Sequence, residues 1–148
     1  MRTIKIIKTN NLNNRIYQDS LKIRKIVFVK EQNVPIDLEI DNNEEIYTHY
    51  VGYDNEIPVV TARSLRTSDN SGWHIQRVAT LKEYRHKGLG KQLLDYIEQQ
   101  AKMNNITYLE LSAQDQAQPF YLKLGYEVTS KQFLDAGIKH HNMKKTIN

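Results

Sequence analysis

The chain has 148 residues, a formal net charge of +4 and no cysteine. This length predicts a single domain, residues 1–148, that is long enough to enclose one hydrophobic core. The absence of cysteine excludes disulfides, thiolate metal sites and cysteine nucleophiles. Lysine and arginine are spread along the sequence rather than gathered in one block, so we expect a solvated surface and no nucleic-acid partner.

The sequence also lacks the apolar segments that direct proteins to membranes. Met1–Lys5 opens the chain without the long apolar stretch of a signal peptide. No apolar run approaches the roughly 20 residues that a transmembrane helix needs. We therefore expect a cytoplasmic protein with no membrane partner.

The first half of the chain predicts one strand, one helix and a three-stranded meander. The expected elements are an edge strand over Thr3–Lys8, a helix from Arg15, and strands over Tyr47–Tyr53, Ile57–Leu65 and Trp73–Thr80. Between the helix and the meander, Ile36–Glu45 carries five carboxylates. We expect most of them to lie in a solvated loop, although such a loop can also present a few functional acids.

The second half predicts a long amphipathic helix followed by a strand, a short helix and two further strands. The expected bounds are Gly88–Asn104, Tyr108–Ala113, Ala117–Leu124, Tyr126–Lys131 and Lys139–Lys145. A long helix between two strands makes a parallel crossover, because antiparallel neighbours need only a short turn. The whole order predicts an α/β (α+β) fold in which helices flank a mixed central sheet of about seven strands.

A glycine-containing turn links the last strand of the meander to the long helix. It reads Arg85-His86-Lys87-Gly88-Leu89-Gly90, and Lys91 follows it. Glycine lets the backbone approach a ligand closely, and a helix N-terminus offers free N–H groups and partial positive charge. These features favour a phosphate or pyrophosphate ligand. The alternative is a simple connector, because the spacing matches neither Gly-x-Gly-x-x-Gly nor Gly-x-x-x-x-Gly-Lys-Ser/Thr.

The turn also resembles a known family motif. Arg85–Gly90 is similar to the Gln/Arg-x-x-Gly-x-Gly/Ala acyl-CoA turn of the GNAT N-acetyltransferase superfamily, and Ala117–Tyr126 resembles its second signature. Val27–Pro35 and Phe133–His140 are similar to the small bacterial YjcF/ElaA-like branch. The resemblance covers nearly the whole chain. It implies a GNAT-like sheet that splays between its two central parallel strands.

The resemblance implies acetyl-CoA as the acetyl donor, direct attack by an amine on the thioester, and no metal. Backbone groups of Val78 and Thr80 would pair with the pantetheine arm, and an N–H near Val78 would hold the developing oxyanion. The pyrophosphate would lie on the N–H groups of Lys87–Gly90. The expected cofactor-binding residues are Val78, Thr80, Arg85, His86, Lys87, Gly88, Leu89, Gly90, Lys91, Gln114, Phe120 and Lys123.

Tyr121 matches the family tyrosine that protonates the leaving CoA thiolate, and a phenol is a suitable donor. The alternative is that Tyr121 only packs in the core, as we expect Phe120 to pack beside the CoA arm. Gln114 and Gln118 stand where relatives often carry asparagine, which leaves the polar contact at that position open.

The general base is open in the sequence, because several groups could take the proton of the ammonium. Glu31 ranks first, since it follows an apolar run where the acceptor loop should begin. A water chain without a single base is the alternative. The residues expected near the substrate are Glu39, His49, His74, Gln76 and His140. His140 and His141 are neighbours on a strand and point to opposite faces, so they do not predict a metal site.

Together these observations predict an acetyl-CoA-dependent N-acetyltransferase that acts on a primary amine of a small polar acceptor. The acidic residues of Glu39–Glu45 could instead attract a basic peptide, so a protein or peptide acceptor is one alternative. A non-catalytic acyl-CoA-binding module is the other alternative, since it would keep the glycine turn and lose catalysis. The oligomeric state is open, with a homodimer through edge strands as one arrangement.

Overall fold

The computed structural model describes residues 3–148, which contain eight strands and four α-helices. The strands are β1 (Lys5–Thr9), β2 (Thr48–Asp54), β3 (Ile57–Arg66), β4 (Gly72–Thr80), β5 (Tyr108–Gln114), β6 (Glu127–Val128), β7 (Phe133–Asp135) and β8 (Ile138–Thr146). The helices are α1 (Arg15–Arg24), α2 (Ile36–Glu39), α3 (Leu89–Met103) and α4 (Gln118–Lys123). α1 continues directly into a π-helical segment over Lys25–Glu31.

The described strands form one mixed sheet in the order β1-β2-β3-β4-β5-β8-β6, and β7 pairs with β8. β4 and β5 are parallel, with Gly72 to Ile75 paired to Tyr108 to Leu111, and both strands continue beyond the last paired residue. The predicted fold class, the edge position of the first strand and the parallel crossover are therefore confirmed. The sheet has eight strands within residues 3–148, where the sequence predicted about seven.

The chain divides into two compact units, and β4 and α3 contribute residues to both. The first unit reaches Leu65 and resumes over Arg77–Ile97; the second comprises Arg66–Gln76 and Glu98–Asn148. The prediction of a single domain stays a prediction.

The core of the first unit is built from alternating strand residues and one face of each long helix. Val51 and Val59 on the sheet and Ile23, Leu93 and Ile97 on the helices are almost completely buried. Asn14 caps α1, because its side-chain oxygen accepts a hydrogen bond from the N–H of Tyr17 at 3.2 Å. The apolar spacing that predicted α3 is thus the spacing that this unit buries.

The second unit has a smaller core on β5 and β8. Leu109, Leu111 and Met143 are at most 2% exposed. Gly72 lies against the ring of Tyr108, and a Cβ at this position would overlap the carbons of that ring. A side chain at residue 72 would therefore push the first residues of the parallel pair apart.

The region before β8 differs from the sequence prediction. Tyr126–Lys131 was expected as a strand, but β6 comprises only Glu127–Val128. No strand was predicted between Lys131 and Lys139, but β7 lies there and forms a hairpin with β8. Ala136 and Gly137 make the tight turn, with φ of 51° and 77°. Three residues of alternating character are too short a pattern to predict a strand.

The acidic segment is the main correction. Ile36–Glu45 was expected to be mostly a solvated loop, but Glu39 is 3% exposed and Glu44 is 4% exposed. The segment begins with α2, directly after Pro35, and ends in a single 3-10 turn over Glu44–Ile46. Buried arginines from other elements pair with these carboxylates, which is why they can leave water.

Candidate active site

The glycine turn lies in the first unit and has an irregular backbone. A short 3-10 turn over Lys82–Tyr84 follows β4, and then His86 and Gly88 adopt positive φ of 63° and 77°. The N–H of Gln92 donates to the carbonyl of Gly88 at 3.1 Å, which closes the first turn of α3. The N–H groups earlier in that turn have no acceptor within the helix, so the turn presents backbone donors at the positive end of a helix dipole.

Arg85 brings three of the predicted site residues together. Its Nε donates to the carbonyl oxygen of Thr80 at 2.9 Å, and its Nη2 donates to the carboxylate of Glu31 at 2.8 Å. About a third of each side chain in this ion pair is exposed, 33% for Arg85 and 31% for Glu31. The pair ties the end of the π-helical segment to the glycine turn.

The residues that follow Arg85 in and after the turn are more exposed. His86 and Lys87 both lie at the surface. Lys91 forms an exposed ion pair with Asp95 at 2.7 Å, one turn further along α3. Leu89 is buried and anchors the helix start in the core, whereas Gly88 is exposed.

The backbone of β4 is irregular where it enters the first unit. Arg77 has a φ of 59°, which is uncommon for a residue with a side chain. The Arg77 guanidinium donates to the carbonyl oxygens of Leu38 at 3.1 Å and Glu39 at 3.3 Å. Val78 and Thr80, both half-buried, follow in the same strand.

Six charged residues of the first unit form a buried ionic cluster of three arginines and three carboxylates. Its members are Arg24, Glu39, Asp41, Glu44, Arg63 and Arg77. Arg24 contacts Glu39 at 2.8 Å and Glu44 at 2.7 Å, and Arg63 contacts Glu44 at 2.8 Å. Only Asp41 and Arg77 keep substantial exposure, 31% and 20% of their side chains.

The pKa values of two carboxylates in the cluster, Glu44 and Glu39, are shifted in opposite directions. Burial alone would raise the pKa of Glu44, but hydrogen bonds and charges from Arg24 and Arg63 outweigh it and hold the pKa below its ordinary value. For Glu39 burial dominates over the attraction of Arg77 and Arg24, so its pKa is raised. The carboxylate of Glu39, a predicted substrate contact, is therefore already engaged by two guanidiniums.

His49, another predicted substrate contact, has no exposed surface. Its Nε2 lies 2.8 Å from the carbonyl oxygen of Glu44, so Nε2 carries the proton and donates. Burial lowers the pKa of the imidazole and keeps the ring neutral. Nδ1 is the one buried side-chain polar atom without a hydrogen-bond partner within residues 3–148. Tyr17 and Tyr47 pack edge-on against the ring.

In the second unit, His74 pairs with Glu110 across the parallel strands. The two residues are in register on β4 and β5, and His74 Nδ1 lies 2.8 Å from a carboxylate oxygen of Glu110. The side chain of His74 is 25% exposed. A carboxylate that binds Nδ1–H leaves Nε2 as the basic nitrogen. Gln76, two residues further along, is half-buried.

Tyr121 lies in the second unit and is 7% exposed. Its ring packs edge-on against Phe120 and Tyr126, with centroids 5.0 and 5.7 Å away. Burial raises the pKa of its hydroxyl, so the phenol is protonated throughout the neutral range. α4 holds this residue and ends at Lys123; Gly125, whose φ is 97°, follows two residues later. Phe120 and Lys123 on the same helix are exposed.

The remaining predicted residues belong to hydrogen-bond networks of the second unit. Gln114 accepts from the amide of Gln116 at 3.0 Å. His141 Nδ1 lies 2.7 Å from both Asp115 and Gln118. His140 is 8% exposed, and its Nδ1 donates to the carbonyl oxygen of Ile138 at 2.7 Å.

The sequence interpretation missed the three arginines of the ionic cluster. Arg63 stands in the apolar strand β3 and Arg24 ends an amphipathic helix, and both are at most 1% exposed. A charged residue inside an apolar strand is a usable signal, because arginine is rarely buried without a partner. The acidic segment was the available partner.

No group of three histidine, aspartate or glutamate side chains within residues 3–148 is arranged to hold a metal ion. No helix in that part of the chain is long and apolar enough to cross a membrane.

A mixed sheet with one parallel crossover and a glycine turn at the crossover helix is typical of α/β enzymes that bind a phosphate-bearing cosubstrate. The chain belongs to the GNAT acetyltransferase family, because residues 10–147 match the model of the acetyltransferase (GNAT) domain. The family resemblance of the sequence is thereby confirmed, and the protein is an acyltransferase of the N-acetyltransferase type.

Individual relatives agree with this family. The uncharacterized N-acetyltransferase YjcF of Bacillus subtilis is 43% identical over 134 residues, which cover 90% of this chain and 94% of that protein. A solved Lactobacillus plantarum protein assigned to the N-acetyltransferases is 30% identical, with a TM-score of 0.88 over 98% of this chain and 99% of that one. Escherichia coli ElaA is 24% identical and shares the fold, with a TM-score of 0.84 over 96% and 99% of the chains.

Proposed function

We propose that this protein transfers the acetyl group of acetyl-CoA to a primary amine of a small polar acceptor. The observation that carries the proposal is the turn Arg85–Gly90, in which His86 and Gly88 adopt positive φ immediately before α3. Residues of positive φ within a turn are typical of backbone concavities that bind anions, and this turn stands at the positive end of a fifteen-residue helix. Such a site suits the pyrophosphate of a CoA thioester.

The exposed side chains around the turn add hydrogen-bond donors, and the lysines add positive charge, for a phosphate. His86 and Lys87 are exposed beside the backbone donors, and Lys91 lies in the first turn of α3. Arg85 is instead held by Thr80 and Glu31. We assign Arg85 to shaping the turn and the exposed cations to the phosphates.

Acetyl-CoA supplies an activated acyl group, which the amine nitrogen attacks directly to form an amide and release the CoA thiolate. We assign the backbone N–H of Val78 to the negative charge that develops on the thioester oxygen. Tyr121 donates its phenolic proton to the thiolate sulfur. A base removes a proton from the amine, so that protons balance over the cycle.

Glu31 and His74 are the two candidates for that base, and their hydrogen bonds distinguish between them. Glu31 ranked first by its position in the sequence, but its carboxylate accepts a hydrogen bond from Arg85. His74 is oriented by Glu110 through Nδ1, and within residues 3–148 no hydrogen bond engages its Nε2. We therefore favour His74 as the base and Glu31 as the residue that holds Arg85.

The charge of the acidic segment favours a small acceptor over a basic peptide. Of its five carboxylates, Glu39, Asp41 and Glu44 are paired with arginines of the ionic cluster. Asp37 and Glu45 are the two of the five that lie exposed at the surface. Two exposed carboxylates give little reason to expect a lysine-rich protein partner.

Calorimetric titration of acetyl-CoA into the purified protein tests the proposal, with CoA as the comparison ligand. Gly88→Glu places a side chain at a φ of 77° and a carboxylate beside the expected pyrophosphate. We expect its Kd to rise at least about tenfold, since anion repulsion and backbone strain act together.

Gly137→Glu is the matched control, because Gly137 has the same φ of 77° and lies in the β7–β8 turn. A Cβ there meets nothing within 4 Å. We expect this variant to bind like the original protein. Absence of acetyl-CoA binding in folded, unmutated protein would overturn the proposed function.

A further inference from the structure

The backbone of Arg77 adopts a conformation that a non-glycine residue rarely takes inside a strand. Its φ is 59°, whereas β4 extends on both sides from Gly72 to Thr80. A left-handed residue of this kind costs free energy and persists only where surrounding contacts hold it. The contacts that hold Arg77 therefore matter for the path of β4.

The side chain of Arg77 supplies such contacts, all of them to one short segment. The guanidinium donates to the carbonyl oxygens of Leu38 and Glu39 at 3.1 and 3.3 Å. It also lies 3.1 Å from the carboxylate of Glu39 and 3.8 Å from that of Asp41. These bonds close a bridge between β4 and the end of α2.

The far end of the bridge is firmly held. Arg24 donates to the Glu39 carboxylate at 2.8 Å and to the Glu39 carbonyl oxygen at 2.6 Å. Both residues are at most 3% exposed, whereas the side chain of Arg77 is 20% exposed. Glu39 is thus the buried end of this bridge, and Arg77 is the partly exposed group that binds to it.

Val78, the residue after Arg77, is the one whose backbone N–H we assign to the oxygen of the reacting thioester carbonyl. Rotation about the Arg77 backbone turns the following peptide plane, and that plane carries the N–H of Val78. An oxyanion donor is effective only when it points at the place where charge develops. The bridge from Arg77 to Glu39 therefore fixes the direction of this donor.

We propose that Arg77 is a positioning residue, which orients the Val78 N–H by tying β4 to Leu38 and Glu39. This assignment rests on the proposed function, because it presupposes an acyl group at Val78. It also links the acidic segment to the acyl site, so that a change at Glu39 reaches the reacting carbonyl through one side chain. Arg77 itself need not touch either substrate.

Three substitutions separate the side chain from the backbone conformation. Arg77→Ala removes the bridge and leaves a side chain at positive φ. Arg77→Gly removes the bridge but tolerates that φ without strain. Arg77→Lys keeps a cation that can still reach a carbonyl oxygen. Arg66→Ala is the control, at an exposed arginine whose guanidinium donates to the Asn70 carbonyl oxygen at 3.3 Å.

The measurements are kcat for acetyl transfer to an amine and the Kd values of acetyl-CoA and of CoA. We expect kcat to fall about tenfold to a hundredfold in Arg77→Ala and in Arg77→Gly, since a small misplacement of a catalytic donor has effects of this size. The Kd of CoA should change less than about twofold, because CoA carries no acyl group for the Val78 N–H. Arg77→Lys should recover part of kcat.

The outcomes are distinguishable. An unmutated protein that binds neither ligand would overturn the proposed function and this assignment with it. If acetyl-CoA binds and Arg77→Gly retains the original kcat, the positioning role alone is overturned. Equal losses of CoA and acetyl-CoA affinity in all three variants would also overturn it, because they would indicate a general loss of structure. If Arg77→Ala does not fold, Arg77→Gly and Arg77→Lys decide the question.

Discussion

Arg85 and Glu31 form an ion pair at 2.8 Å that joins the end of the π-helical segment to the glycine turn. The same guanidinium donates to the carbonyl oxygen of Thr80, where β4 ends. One side chain thus fastens three separate segments of the first unit around the expected pyrophosphate site. Glu31 is a part of that fastening, which gives it a structural role that its position in the sequence did not suggest.

Glu31→Gln should weaken acetyl-CoA binding modestly and leave catalysis nearly intact. A half-exposed ion pair contributes roughly 0–1 kcal/mol, so we expect Kd to rise no more than about fivefold. Calorimetry gives Kd, and steady-state kinetics at saturating acetyl-CoA gives kcat. A fall of kcat by a hundredfold with an unchanged Kd would instead assign Glu31 as the general base.

His74→Ala should lower kcat by about a hundredfold or more, because general-base catalysis usually contributes this much. Glu110→Gln should cause a smaller loss, since it keeps the imidazole and replaces the carboxylate that orients Nδ1 by a neutral amide. Added imidazole should restore part of the activity of His74→Ala. A His74→Ala variant with the original kcat would exclude His74 and favour a water chain.

Tyr121→Phe should separate binding from turnover. The substitution removes one hydroxyl from a buried ring and keeps its packing against Phe120 and Tyr126. We expect kcat to fall by about a hundredfold or more, with the Kd of acetyl-CoA within about twofold of the original. Tyr126→Phe, at another buried tyrosine, is the control. Unchanged turnover in Tyr121→Phe would leave Tyr121 as a packing residue.

Glu44→Gln should destabilise the fold strongly. Glu44 receives hydrogen bonds from the buried guanidiniums of Arg24 and Arg63 at 2.7 and 2.8 Å. Removing one partner of a buried ion pair costs roughly 3–5 kcal/mol. Urea denaturation measures the difference. Glu45→Gln, at the exposed neighbour, should change the free energy of unfolding by less than about 0.5 kcal/mol.

The same cluster predicts a sign for the acid dependence of stability. The pKa values of Glu44 and Asp41 are held below their ordinary values, in each case because arginine contacts outweigh the opposing effect of burial. Their stabilisation is therefore complete above the ordinary carboxyl pKa of about 4 and is lost as pH falls through the lower folded values. Glu39 acts in the opposite direction, because burial raises its pKa.

The measurable consequence is a dependence of the free energy of unfolding on pH. We expect the free energy of unfolding to decrease as pH falls from about 5 to about 3. The decrease should be shallower in Glu44→Gln, which has lost one of the two carboxyls of the ionic cluster whose pKa is lowered. Urea titrations at several pH values give both slopes. Equal slopes would show that Glu44 does not contribute to the acid dependence.

The elements that could be predicted are those with a strong local pattern. α3 has apolar residues at helical spacing after Gly88, and β5 has alternating buried residues, so both were found within a residue or two. The turn residues Asn55 and Gly125 mark real turns, with positive φ. Local signals of this kind sufficed to place the crossover and the glycine turn.

The features that could not be predicted depend on partners far apart in the sequence. Glu44 is buried because it pairs with Arg63, which lies nineteen residues later in the chain. The sequence around Glu44 gives no sign of this partner. The pairing of His74 with Glu110 depends on the register of a parallel strand pair, which the intervening helix leaves free. The sequence could therefore rank Glu31 first among the candidate bases by its position alone, without the contacts that favour His74.

The ionic cluster contains as many cations as anions, so the net charge of +4 resides entirely on residues outside it. Those residues are mostly exposed lysines and arginines, whose fields reach into solvent and are screened by salt. The attraction of this surface for an anionic cosubstrate would thus decrease as ionic strength rises. The buried ion pairs that hold the acidic segment are screened much less by the same salt. Added salt should therefore weaken the binding of the cosubstrate without weakening the fold of the acidic segment to the same extent.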